Sequence, residues 1–139
     1  MTVVEKLKTE SMRLRKARDP LAPKIVFALS EIEKVGKNAG NRATTDDEAI
    51  RVVQKLIATI DENIRVTTDA VRLIAFDQEK SILVSALPQM ASESEIRQFL
   101  ATLDTPANKG IVMKALKEKF GALVDMKQAG AIASEMFGL

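Results

Sequence analysis

A chain of 139 residues is long enough for one domain or two very small ones. With 46% hydrophobic, 29% charged and only 4% aromatic residues, Leu, Ile, Val, Ala and Met must build its core, which favours helices over a sheet. Cysteine and histidine are absent, which excludes disulfides, thiolate or imidazole metal sites, Cys or Ser-His nucleophile systems and a histidine base, and the net charge of +2 is uneven: ten basic against five acidic residues over 1–44, six against eleven over 45–105, five against three over 106–139.

From Val3 to Arg18 the apolar residues Val3, Val4, Leu7, Met12 and Leu14 recur near helical spacing, and Asp19-Pro20 stops the pattern. Ile25, Val26, Leu29 and Ile32 predict a second helix from about Leu21 to Val35, followed by a loop, GKNAGNRATT. Thr45 with Glu48 three residues on is a capping-box signature, so a third helix starts there. The series Val53, Ile57, Ile60, Ile64, Thr67, Val71, Ile74 keeps steps of four and three, the spacing of one helix lying along another. A turn at RVTTD divides this run into a hairpin, Asp46 to Val66 against about Asp69 to Leu87, which Pro88 ends. Ser92 and Glu95 repeat the capping box and open the first of three short helices, Glu93–Leu103, Pro106–Phe120 and Met126–Phe137, the second with Thr105 as N-cap and Pro106 as first residue. The predicted fold is all-α: an N-terminal helical domain with a long hairpin (1–88), a hinge at Pro88 to Ala91, and a small three-helix C-terminal domain (91–139).

The stretch VMKALKEKFGALVDMKQA, Val112 to Ala129, holds four lysines and no Tyr or Trp on which a base would stack. On a helical wheel Ile111, Val112, Ala115, Leu116 and Phe120 share a broad apolar face, with Lys114, Lys117 and Glu118 opposite. By itself such a pattern reads first as a solvated outer face, where Lys114 and Glu118 are spaced to pair, and a phosphate-binding surface is the second reading. In the last helix Met126, Ala129, Ile132, Ala133, Met136 and Phe137 form the apolar stripe and Asp125 the N-cap, while Gly130 and Ala133 permit close helix approach. Arg13, Arg15, Lys16 and Arg18 either complement the C-terminal dipole of the first helix or meet phosphate.

Asp46, Asp47 and Glu48 read as acids at a helix start rather than as metal ligands. There is no P-loop and no GxGxxG, and no catalytic residue, cofactor, metal or small-molecule substrate is indicated. The N-terminus has no apolar signal-peptide core and no run of 18 apolar residues occurs, so a cytoplasmic protein without membrane contact is expected.

The segment GIVMKALKEKFGALVDMKQAGAIASEM is similar to the G-x-V-M-K-A-L…V-D-x-K-x-A…I…E-L ending of the YqeY-like proteins. That family shares a domain with the tail of GatB, the B subunit of the glutamyl/aspartyl-tRNA amidotransferase. KARD after the first helix, TTDDEAIRVVQKLI at the third, and LPQMASESEI, which resembles the family's L-P-x-x-L-S-E-E-E-I, come in the family's order. The resemblance thus covers nearly the whole chain; Ile111 and Met126 stand where the family usually has Lys and Gly.

The resemblance implies a non-catalytic tRNA- or RNA-binding accessory protein, with Lys109, Lys114, Lys117, Lys119 and Lys127 as candidate phosphate contacts that act through charge and shape. It further implies association with tRNA-dependent amidotransfer through an amidotransferase partner, not catalysis by this chain, because the family's catalytic domain lies elsewhere in the amidotransferase subunit. The alternative is a helical adaptor with no RNA role, docking on another protein through acids of the hairpin such as Asp61, Glu62 and Asp69.

Overall fold

Three helices begin at the same local device. The Thr2 hydroxyl accepts from the Glu5 N–H while the Glu5 carboxylate accepts from the Thr2 N–H, and Thr45 with Glu48 and Ser92 with Glu95 repeat the exchange. Each box satisfies two N–H groups that a helix start leaves unpaired, and losing such a cap costs about 1 kcal/mol. In the computed structural model, which describes residues 1–104, 106 and 108–139, the boxes open α1 (Val3–Lys16), α3 (Asp46–Val66) and α5 (Glu93–Ala101). The other helices are α2 (Ala22–Asn38), α4 (Ala70–Ala86), α6 (Lys109–Phe120) and α7 (Met126–Phe137). The fold is all-α, with no strand among the described residues, and divides into two compact units, Met1–Pro88 and Gln89–Leu139.

In the first unit α1 packs on α2, α3 and α4. Its buried stripe is Val3, Leu7, Ser11 and Leu14; Met12, expected in the core, points to water, and the small Ser11 takes the inward position because two steps of four from Val3 reach it and a step of three then reaches Leu14. α2 buries Ala22, Ile25, Ala28, Ile32 and Gly36. It therefore runs past the predicted end at Val35, and the glycine read as the start of a loop is a packing position.

A Cβ on Gly36 would stand 2.7 Å from the Thr44 nitrogen and 2.8 Å from the Ala43 carbonyl carbon, so only a residue without a side chain lets the returning chain pass here. The Thr44 hydroxyl accepts from the Gly36 N–H (3.0 Å) and donates to the Ile32 carbonyl (2.6 Å), joining two groups four residues apart on α2. Arg42 then grips Glu48 with two bonds, at 2.7 and 2.9 Å, and Asp46 Oδ1 accepts from the Val3 N–H at 3.0 Å. The loop thereby fastens the end of α2, the start of α3 and the start of α1 together.

The hairpin turns where expected: α3 ends before Thr67, and Asp69 caps α4 by accepting from the Val71 N–H at 2.9 Å. Lys80 bridges to Asp61 across the pair at 2.6 Å. Val53 and Ile60 are buried and Ile57, Ile64 and Thr67 half-buried, but the seam does not continue onto α4, since Val71 and Ile74 are 76% and 60% exposed. Thr67 and Asp69 are extended, so the turn resets the helical phase that the spacing carried through it. The inward face of α4 is instead Leu73, Phe76, Leu83 and Ala86, of which Leu83 and Ala86 are fully buried.

The second unit closes on Ile96 and Leu100 of α5, Val112 and Leu116 of α6, Val124, and Ala129, Ile132 and Ala133 of α7. Phe99 meets Phe120 edge to face, with centroids 5.6 Å apart. After α6 the chain makes a short 3-10 turn, Gly121–Leu123, whose Leu123 carbonyl accepts from the Ala91 N–H at 2.7 Å. α5 stops at Ala101, two residues before the predicted Leu103. α6 starts at Lys109 rather than Pro106, because the Asn108 side chain supplies the cap by accepting from the Ile111 N–H at 3.1 Å. Thr105, expected as that cap, lies outside the described residues.

Two tests follow from the loop that ties α1, α2 and α3. Gly36→Ala forces the loop backbone away and should cost about 1–3 kcal/mol in urea unfolding; an unchanged midpoint would show that the loop yields freely. The Arg42 guanidinium foremost, with the Thr45 N–H, lowers the Glu48 carboxyl from 4.5 to about 2. A carboxyl lowered in the folded state stabilises it above its unfolded value and loses that contribution as pH falls through the folded one. Glu48→Gln should accordingly lower the melting temperature at neutral pH, and its difference from wild type should narrow as the pH falls from 4.5 to about 2.

Candidate nucleic-acid interface

Helix α6 is built so that its apolar residues leave all four of its lysines outside. Val112 and Leu116 are fully buried and Met113, Ala115 and Phe120 half-buried, while Lys109, Lys114, Lys117 and Lys119 are exposed. Ile111, expected on the apolar face, is 51% exposed; at about 100° per residue it lies beyond Ala115 and beside Lys114 and Glu118, on the outer side. α7 follows the expected pattern more closely. Ala129, Ile132 and Ala133 are buried, Met126, Met136 and Phe137 pack against the core, and Lys127 is exposed. Asp125 caps the helix by accepting from the Lys127 and Gln128 N–H groups.

The two helices meet at Gly130, which is buried. A Cβ placed there would stand 3.4 Å from Lys109 Cε and 3.6 Å from both Lys109 Nζ and Met113 Cε. The Lys109 stem therefore lies across α7 at the glycine, with its ammonium group at the surface. Lys127, one turn earlier, belongs to the same flank of α7. Lys114 and Lys117 are about 60° apart on α6 and carry positive charge along its outer side. Lys119 is about 160° from Lys117 and lines a depression toward α5 with Glu95, Gln98, Phe99, Thr102 and Phe120. Four of the five candidates thus belong to one side of the α6–α7 pair, and Lys119 stands apart.

Among the described residues none of these five lysines forms an ion pair, and Lys114 and Glu118, spaced to pair, do not. Glu118 stays unpaired among the described residues, beside Lys114, while two other acids of the unit are occupied. Asp125 caps α7, and Glu135 is held by Arg97 at 3.0 Å while the same guanidinium holds Glu93 at 2.8 Å. Arg97 is the contributor that sequence reading missed: its pairing with Glu93 is a local i, i+4 signal, but Glu135 is 38 residues away and only folding brings it near. Arg97 thus offsets part of the negative charge of Glu93 and Glu135.

The arginine-rich end of α1 offers less. Arg13 is bound to Glu10 at 2.8 Å, and Arg13, Arg15 and Lys16 sit in the last turn, where they complement the helix dipole. The acids at the start of α3 are all engaged structurally: Asp46 with Val3, Asp47 with Arg51 at 3.3 Å, Glu48 with Arg42. Among the described residues no group of three or more acidic side chains is placed to hold a metal ion, and no helix is long and apolar enough to cross a membrane.

No protein-family model matches the chain, and no curated protein does.

The fit of Lys109 over Gly130 gives a direct test. The neighbour is the flexible end of a side chain, so Gly130→Ala should be accommodated and should stabilise the second unit by about 0.5–1 kcal/mol through helix propensity. A loss of stability in chemical denaturation would show that α6 and α7 have no room to give.

Proposed function

We propose that the protein is a non-catalytic tRNA- or RNA-binding accessory protein of the GatB/YqeY type, acting in the cytoplasm and associated with tRNA-dependent amidotransfer through a partner. The observation that carries this reading is the set of exposed, unpaired lysines on one side of α6 and α7, in a unit whose arginine is already bound to two carboxylates. Lysine ammonium groups free of protein partners release counterions when they meet phosphates, the main source of sequence-independent affinity for nucleic acid. Base stacking contributes little, because Phe99 and Phe120 pack on each other and Phe137 on the core. Recognition then rests on charge and on the shape of a folded RNA.

The adaptor reading draws less support from the hairpin. Asp61 is bound to Lys80, Glu62 to Arg65 at 2.7 Å, and Asp69 is the cap of α4, so the acids it requires are already engaged.

Titration of bulk tRNA at low salt should show binding that weakens steeply as salt is raised. Lys114→Glu with Lys117→Glu should weaken it by about tenfold or more and reduce the salt slope by about 2, one for each phosphate that is no longer neutralised. Lys119→Glu should have a smaller effect than either. Absence of binding at low salt, or a double variant that binds like the wild type, removes the RNA reading. Co-purification with amidotransferase subunits checks the association separately.

A further inference from the structure

Three helices of the first unit turn mixed faces into one groove. Each supplies an apolar and a polar residue three apart, and so on one side of its helix: Lys24 and Phe27 on α2, Ile60 and Asn63 on α3, Phe76 and Glu79 on α4. The groove encloses about 470 Å³, inside the about 300–1,000 Å³ of small-molecule pockets. A second depression adjoins it, and Lys24, Asn63, Phe76 and Glu79 line both. The polar residues therefore stand at the junction. Those that line the first groove alone are apolar except for Thr59. A ligand with its head at the junction can thus lay its body along an apolar wall.

The charges at this junction are opposite and unclosed. Among the described residues Lys24 and Glu79 form no ion pair, whereas Lys80, next to Glu79 in the chain, closes on Asp61 at 2.6 Å. Glu79 is half-buried; burial pushes its carboxyl above the ordinary value, and the charge of Lys24 offsets this only in part. A carboxylate so placed has lost water without gaining a close partner. A cationic ligand would satisfy it but would also face the Lys24 ammonium, and an anionic ligand would face Glu79. A ligand that carries both charges meets neither repulsion.

We propose that this groove binds an α-amino acid with a large apolar side chain, its ammonium group on Glu79, its carboxylate on Lys24 and its side chain against Phe27 and Ile60. The two charged groups of an amino acid leave one carbon, so they fit between an acid and a base that attract without touching. Asn63 offers a donor and an acceptor at the same junction.

Titration of the isotope-labelled full chain with L-phenylalanine, followed by amide NMR shifts, should move the signals of Phe27, Asn63 and Phe76. The shifts should saturate with a dissociation constant on the order of 1 mM, as suits a ligand of about a dozen non-hydrogen atoms. L-Phenylalanine amide keeps only the cation and N-acetyl-L-phenylalanine only the anion, as the end residues of a peptide do; each should bind at least about fivefold more weakly. Glu79→Gln and Lys24→Met should keep a thermal melt near that of the wild type and should each weaken phenylalanine binding at least about fivefold. No saturable shift up to about 20 mM ligand, an analogue that binds as tightly as the amino acid, or a folded variant that binds like the wild type overturns the proposal. No RNA enters the measurement, so its outcome is independent of the tRNA reading.

Discussion

The first unit depends on one short segment, Arg42 to Glu48, that fixes three helix ends at once. Thr44 joins the chain to the last turns of α2, Arg42 and Thr45 hold Glu48, and Asp46 reaches the first N–H of α1. None of these bonds is deeply buried, and individually such contacts contribute little. Their effect is geometric. Gly36 lets the loop press against α2, and the polar contacts then set the direction from which α3 enters the bundle. The apolar stripes of α1, α2 and α3 face one another because of that entry.

In the second unit the two kinds of cation are put to different uses. Arg97 has a planar fork and spans two carboxylates, one local and one from α7, so it acts as a clasp between helices. The lysines have flexible stems and well-hydrated heads, and they are left out of such pairs. Lys109 shows how the packing supports this, since its stem rests over Gly130 while its charge remains at the surface. A charge already matched to a carboxylate has little to gain from a phosphate, whereas an unmatched one has its whole interaction still to make. The placement of acids therefore matters as much to this surface as the number of lysines.

Helix starts were legible in the sequence wherever the signal was local. The hydroxyl and carboxylate pairs at Thr45 and Ser92 announce α3 and α5, and the β-branched run ending in Asp69 announces the hairpin turn. What could not be read was whatever depends on a neighbour distant in the chain. Gly36 looked like a helix breaker because the residues that need its missing Cβ, Ala43 and Thr44, arrive only on folding. Val71 and Ile74 continued an apolar rhythm along the chain, but two extended turn residues shift its phase. Pro106 is as good a first helical residue as Asn108 is a cap, and spacing does not choose between them. The candidate site shows the same division: exposure of the five lysines follows from periodicity, but the separation of Lys119 from the others and the pairing of Glu135 with Arg97 do not.

Among the described residues, six of the seven helices are capped by a side chain bonding to a backbone N–H two or three residues on: Thr2, Thr45, Asp69, Ser92, Asn108 and Asp125. Each of these marks exists before any helix has met another, so it biases the unfolded chain toward the right segment boundaries. The bond from Val3 to Asp46 is of another kind, spanning 43 residues and requiring α1 and α3 to be side by side already. A chain whose helices are written locally and joined by few distant ties has low contact order, and such chains fold fast. The capping residues thus shape the kinetics of reaching the structure, whereas the long tie exists only where the folded bundle has brought α1 and α3 together.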